Sequence, residues 1–225
     1  MKKVIRFVLI PFFVALASSS FAQLGMEFGY IYSPSSGNLT LGNDKEFTGT
    51  ARNNGFQAGL TYDFKIKGEL GLQTGLLYSF AGGKTKEESR ILGGYPRATQ
   101  LTTSACQFLD LPIRVTYSLP VTNDFKFFFF GGPVYSYGLS WNSKSHTMYK
   151  PFSEYSVYKD LKDEVSSFEL KVGAGLGVHY DSFRLKIGYD QGILNLYEGE
   201  KRKNDNGAVN KLRRNQFNLT FGYVF

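Results

Sequence analysis

Beyond residue 23 the side chains alternate, with a period of two, between apolar residues and small or polar ones, the spacing that puts neighbours on opposite faces of a strand. The C-terminal stretch shows it most clearly: Phe217, Leu219, Phe221, Tyr223 and Phe225 oppose Gln216, Asn218, Thr220, Gly222 and Val224. Phe183, Leu185, Ile187 and Tyr189 alternate in the same way with Arg184, Lys186, Gly188 and Asp190. The same period runs through 168–180 and 56–64. It predicts strands over 24–32, 55–64, 69–80, 107–118, 125–141, 167–180, 183–194 and 214–225. No segment repeats its apolar residues at three and four, so the chain reads as all-β.

The connections alternate too. Residues 33–54, 81–106, 142–166 and 195–213 are long and polar, whereas 65–68, 119–124 and 181–182 are tight. Regular alternation of long and short places every long loop at one end of an up-and-down sheet and both termini at the other, as in outer-membrane barrels. The expected fold is an eight-stranded antiparallel up-and-down transmembrane β-barrel.

The small-or-polar face carries charges of both signs, Glu27, Asp110, Arg114, Lys126, Glu169, Lys171, Arg184 and Lys186. An eight-stranded barrel has a lumen just wide enough for side chains, so these charges are expected to pair inside it while the glycines make room. The apolar face carries aromatics towards its ends, Tyr30, Tyr32, Tyr62, Phe64, Tyr78, Phe80, Tyr117, Tyr135, Tyr137, Trp141, Tyr180 and Tyr189, suited to girdles at membrane interfaces. A soluble lipocalin-like carrier, apolar face inward around a ligand, is the alternative reading of the same alternation. Pro112 and Pro133 lie inside expected strands without a ladder donor, so bulges are expected there, helped by Gly131 and Gly132.

At 225 residues and 42% hydrophobic, the chain has room for one domain. Its mean hydropathy of -0.22 is not that of a helical membrane protein. Lys2, Lys3 and Arg6 precede a short apolar run over 7–17, followed by Ser18, Ser19, Ser20, Phe21 and Ala22. This is the anatomy of a secretory signal peptide, and Pro11 with the brevity of the run argues against an anchor. Residues 1–22 are therefore read as a leader and 23–225 as the barrel domain. Of the formal +7, three charges belong to that leader, too mild a remainder to imply nucleic acid. A lone Cys106 leaves no internal disulfide and reads as a buried small side chain.

The chain resembles the outer-membrane β-barrel family common in Bacteroidota, often called PorT-like. The likeness rests on Phe21-Ala22-Gln23, the strand Phe108-Leu109-Asp110-Leu111-Pro112-Ile113 and the terminal strand ending in Phe225. The resemblance implies export to the outer membrane and reading of Phe217, Leu219, Phe221, Tyr223 and Phe225 by the barrel-insertion machinery. It implies roles in secretion assemblies, adhesion or envelope maintenance and transfers no functional residue.

Candidate chemistry is thin. Ser145 beside His146 is the one serine–histidine pair a lipid-modifying barrel enzyme would use, but adjacent residues of an extended chain point apart. His179 reads as a lumen hydrogen-bonder, and two histidines with one cysteine are a poor metal set, so no cofactor is expected. Gly173, Gly175 and Gly177 lack the strand-to-helix turn of a phosphate loop. The basic residues Lys201, Arg202, Lys203, Arg213 and Arg214 of the last long loop are candidates for anionic lipid headgroups or surface polysaccharide, the ordinary alternative being a solvated charge run. Tyr149, Phe152, Tyr155 and Tyr158 offer an aromatic surface to an envelope partner or pack as strand extensions. The functional expectation is a non-enzymatic envelope barrel in contact with outer-membrane lipid, structural or partner-binding.

N-terminal sequencing of the mature protein checks the leader: the expected first residue is Gln23, and an intact Met1 would show an uncleaved anchor.

Overall fold

The computed structural model describes residues 22–41, 45–89, 98–149, 153–160, 166–196 and 211–225, and all regular structure within them is antiparallel strand. Residues 1–21, nearly all of the expected leader, lie outside the described residues. The strands are β1 (Ala22–Leu41), β2 (Lys45–Lys67), β3 (Leu70–Ser89), β4 (Ala98–Pro120), β5 (Phe125–Tyr149), β6 (Ser153–Asp160), β7 (Phe168–Tyr180), β8 (Phe183–Gly192), β9 (Lys211–Arg214) and β10 (Gln216–Val224).

Eight of them close a ring. Neighbours run β1-β2-β3-β4-β5-β7-β8-β10, and β10 returns to β1 from Gly25↔Val224 to Tyr32↔Phe217. β6 pairs only with the far end of β5, and β9 continues the line of β10 along β1. The tight connections gather at one end with both described termini. Gly68 takes φ 58 in the first, and Asp181 takes φ 52 in the two-residue turn between β7 and β8, a conformation acidic and amide side chains tolerate.

The apolar face points outward, so the lipocalin arrangement is excluded. Phe28 is 62% exposed and Phe225 63%, and along β8 the exposed Phe183, Leu185, Ile187 and Tyr189 alternate with buried Arg184, Lys186 and Asp190. An exterior belt of this kind is stable only against hydrocarbon.

The strands outrun the expected ones. β1 to β5 are 20 to 25 residues long, and much of the expected loop sequence is hairpin: 33–41 and 45–54, 81–89 and 98–106, and 142–149 with β6. These stretches are dominated by serine, threonine, asparagine, glycine and charged residues at consecutive positions, so the hydrophobic period is silent although the ladder is paired.

At the prolines the structure has gaps where bulges were expected. On the β4–β5 ladder, Pro112↔Val134 is followed directly by Val115↔Gly131, and the register is unchanged across the unpaired positions. Side chains take up the freed carbonyls: Thr74 donates to the Pro112 oxygen at 2.9 Å and Arg114 to that of Gly132 at 3.0 Å. The bulge lies instead where Gln107↔Ser140 steps to Phe108↔Gly138, skipping Leu139. That extra residue inverts the parity of β5 above it. Trp141, expected on the outer girdle, therefore turns inward, opposite Cys106 and edge-on to Phe108 at 5.6 Å.

Gly132 has φ 150, and a Cβ there would stand 2.2 Å from the Ile113 carbonyl oxygen. Gly132→Val is expected to lower stability by about 1–3 kcal/mol, whereas Gly131→Ala, whose Cβ meets nothing nearer than 3.6 Å, is near neutral. Urea midpoints in detergent check the pair.

Candidate functional site

Inside the ring, strand alternation brings five cations and five carboxylates into four groups of ion pairs stacked along the lumen. Nearest the turn end, Arg184 lies between Asp63 at 2.9 Å and Glu27 at 3.9 Å. Lys186 meets Glu27 at 2.6 Å and donates to Gln73 at 2.9 Å. Arg114 pairs with Asp190 and donates to the carbonyls of Gly132 and Gly173, while Asn218 donates to the second Asp190 oxygen at 3.0 Å. Asp110 accepts from Ser79 at 2.5 Å and from Ser136, with Lys171 at 3.5 Å; Lys171 also donates to Gln216 at 2.9 Å. At the loop end Arg214 grips Glu169 at 2.5 Å and lies flat on Phe108, 3.6 Å from the ring centre.

Desolvating such charges costs several kcal/mol per ion unless each is paired. Here Lys171 is fully buried and Arg214 1% exposed, so the pairing is obligatory. Phenylalanines fill the rest. Phe128 and Phe130 point inward, under Arg184 at 5.4 Å and under Arg114 and Lys186 at 5.5 Å, geometry that adds cation–π attraction. A Cβ on Gly175 would come within 2.3 Å of the Phe130 ring, and one on Gly177 within 2.5 Å of Phe128. These glycines make room for aromatic rings rather than for the charges themselves.

The centre holds a void of only about 30 Å³, enough for about one water molecule. A vestibule of about 390 Å³ opens at the turn end between Asp63, Gln73, Lys126, His179 and Arg184. His179 Nε2 finds no hydrogen-bond partner among the described residues. At the loop end Leu196 is buried, its amide bonded to the Leu212 carbonyl at 2.9 Å and its carbonyl to the Ser166 amide at 2.7 Å.

Seven of the eight charges expected in the lumen face it buried, and Lys126 stands half-exposed at the vestibule mouth. Arg214 is a correction. The alternation of Thr220, Asn218 and Gln216 continues through it, so it enters the lumen instead of contacting the exterior. Asp63 and Asp190 complete the network; both sit on the polar side of a legible alternation, which was signal enough. Arg213 is exposed on the outer face, and Lys201, Arg202 and Lys203 lie outside the described residues. So does Phe152. Positions 145 and 146 pair with Thr102 and Leu101 of β4, and the side chain of Ser145 lies outside the described residues. Phe217, Leu219, Phe221, Tyr223 and Phe225 are all exposed on the outer face.

Among the described residues, the wall above the apolar belt is one-sided. About ten tilted residues cross a bilayer, and β7, β8 and β10 have 13, 10 and 9. β1 to β5, with β6 and β9 at their edges, rise well beyond it.

Residues 17–198 match a sequence model described as an outer membrane protein beta-barrel domain. No curated protein matches the sequence. Among solved structures, the chain is similar to Ail of Yersinia pestis, crystallised with the heparin analogue sucrose octasulfate (15% identity, 91% of this chain and 99% of that one, TM-score 0.39). It is also similar to OprG of Pseudomonas aeruginosa (14%, 91% and 96%, TM-score 0.43) and to neisserial surface protein A (12%, 91% and 99%, TM-score 0.39).

Arg214→Met, which keeps the contact with Phe108 but strands the Glu169 carboxylate, is expected to cost about 3–5 kcal/mol. Adding Glu169→Leu should recover most of it. Urea unfolding in lipid vesicles, as a double-mutant cycle, measures the difference.

Proposed function

We propose, from the premise that the chain belongs to the outer membrane protein beta-barrel domain family, that its task is recognition at the cell surface and that it neither conducts solutes nor catalyses a reaction. The protein is an eight-stranded antiparallel barrel of the bacterial outer membrane, in contact with membrane lipid along its apolar belt. The turn end then faces the periplasm and the tall wall faces outward.

The observation that carries the reading is the unequal height of the strands. Five exceed what a bilayer requires, and continuous pairing carries β5 and β6 beyond the membrane as one sheet with β4. A structure built only to seal the membrane has no use for that height. The lumen supports the negative half, since ion pairs and inward phenylalanines leave a central void of only about 30 Å³ among the described residues. The partner is an envelope protein or surface polysaccharide. The barrel-insertion machinery reads the exposed aromatic face of β10, and the finer kinship is with PorT-like barrels, on Phe108 to Ile113 and the terminal Phe225.

Crosslinking in intact cells, followed by detergent extraction and identification of what accompanies the tagged protein, tests this reading. A reproducible partner is expected, lost when 145–157 is replaced by a short turn although the barrel still resists unfolding on unheated gels. Recovery of the barrel with lipid alone, or single-channel steps in a planar bilayer, would overturn it.

A further inference from the structure

Strand register brings three basic side chains together in one wall of the turn-end vestibule. Lys126 of β5 pairs with His179 of β7, and His179 with Arg184 of β8, so the three form a row across adjacent strands on the inward face. Paired Cα atoms are about 5 Å apart, so the row spans about 10 Å.

The row holds more donors than the protein uses. Lys126 has no hydrogen bond or ion pair among the described residues. Arg184 commits Nη1 to Asp63 at 2.9 Å and Glu27 at 3.9 Å, which leaves Nε and Nη2 without a partner among the same residues. His179 is held by a hydrogen bond with the Asp181 backbone, and its Nε2 is unpartnered. Of the carboxylates lining the cavity, Asp63 has one oxygen on Arg184 and the other on Gln73 at 2.9 Å, while Glu69 stands exposed on the β2–β3 turn. Lys65, exposed at the rim, makes three cations against those two carboxylates, so the cavity is positive even with His179 uncharged. Asp124 and Asp181 stand on neighbouring turns, outside the lining.

The cavity is also blind. Behind Phe128 and Arg184 the lumen contracts to the central void of about 30 Å³, so a ligand enters end-on and stops there. Its own volume of about 390 Å³ falls within the range of small-ligand sites, about 300–1,000 Å³. The wall formed by β3 and β4 carries the hydroxyls of Thr116 and Ser118. A side chain at Gly71 would stand 2.7 Å from Thr116 Oγ1 and 2.9 Å from the Phe64 carbonyl oxygen, so the glycine keeps that wall open.

We infer that the vestibule binds the C-terminal carboxylate of a short peptide from the periplasmic side, with the carboxylate on Lys126 and Arg184 and the last peptide groups along Gly71, Thr116 and Ser118. Charge-assisted hydrogen bonds to a carboxylate supply what the unmatched donors lack. A peptide is favoured over an inorganic anion because hydroxyls and a carbonyl oxygen lie in the same cavity, ready for the amides beside the carboxylate. The inference takes from the membrane placement only that the turn end faces the periplasm and does not depend on the surface recognition role.

The test is isothermal titration of the full mature chain in detergent micelles with N-acetyl-dialanine, its C-terminal amide and inorganic phosphate. The acid is expected to bind, and the amide to bind on the order of tenfold more weakly or worse, as for loss of a hydrogen bond to a charged group. Lys126→Gln, which disturbs no partner, should weaken the acid by a similar factor and leave the amide unchanged. Ser118→Trp, which fills the cavity without altering a charge, should abolish binding of the acid, and Lys67→Gln, outside the lining, should change nothing. Resistance to unfolding on unheated gels confirms that each variant is folded. Equal binding of acid and amide, or an acid affinity that survives Lys126→Gln or Ser118→Trp in a folded barrel, would overturn the site. Phosphate binding as tight as that of the acid would overturn the peptide assignment.

Discussion

A backbone amide or carbonyl left unpaired in hydrocarbon costs several kcal/mol, and this protein answers that cost by pairing β10 with β1. The closure runs for eight residue pairs, from Gly25↔Val224 to Tyr32↔Phe217, and leaves no edge at membrane depth. The inversion of the sheet follows from it. With the backbone satisfied by its own ring, the outer face at membrane depth is largely apolar, and the paired charges of the strands are directed into a narrow lumen. The proline region shows how strictly the requirement is met, since Thr74 and Arg114 supply donors to the carbonyls released where the ladder is interrupted.

The lumen has to be filled without an apolar core. Five cations against five carboxylates leave no net charge among them, and amides add further partners: Gln73 lies between Asp63 and Lys186, Gln216 accepts from Lys171, and Asn218 donates to Asp190. Charges alone pack poorly, and the inward phenylalanines occupy the space that glycine opens opposite them. Phe130 lies between Gly175 and Gly188 on one side and the cations Arg114 and Lys186 on the other. Such a network contributes geometry more than net stability, because pairing mostly offsets the desolvation it requires. The closed centre is the result.

Above the membrane, water satisfies edges, and the constraint relaxes. The ring no longer has to be complete, and among the described residues β7 and β8 stop while β1 to β5 continue with β6 paired along β5. The surface available for recognition is therefore the part of the molecule that closure does not need.

Residues with strong contrast across a strand were legible from the chain alone. Phe183 to Asp190 and Phe217 to Phe225 name their faces because one side is apolar and the other charged or small, and the long and short connections order them into an up-and-down barrel. Where both faces are polar, as at Ser33 to Asn38 or Thr102 to Ser104, alternation carries no contrast and the strands were invisible. The fate of Trp141 depended on a single skipped residue, Leu139, which only the pairing of β4 with β5 decides. Arg214 and Glu169 lie 45 residues apart, and no local pattern says that they meet. Sequence determined which side chains share a face, because that is a property of one strand. Tertiary structure decided where the register slips, which charges pair and how far the wall rises, because each depends on a neighbouring strand distant in the chain.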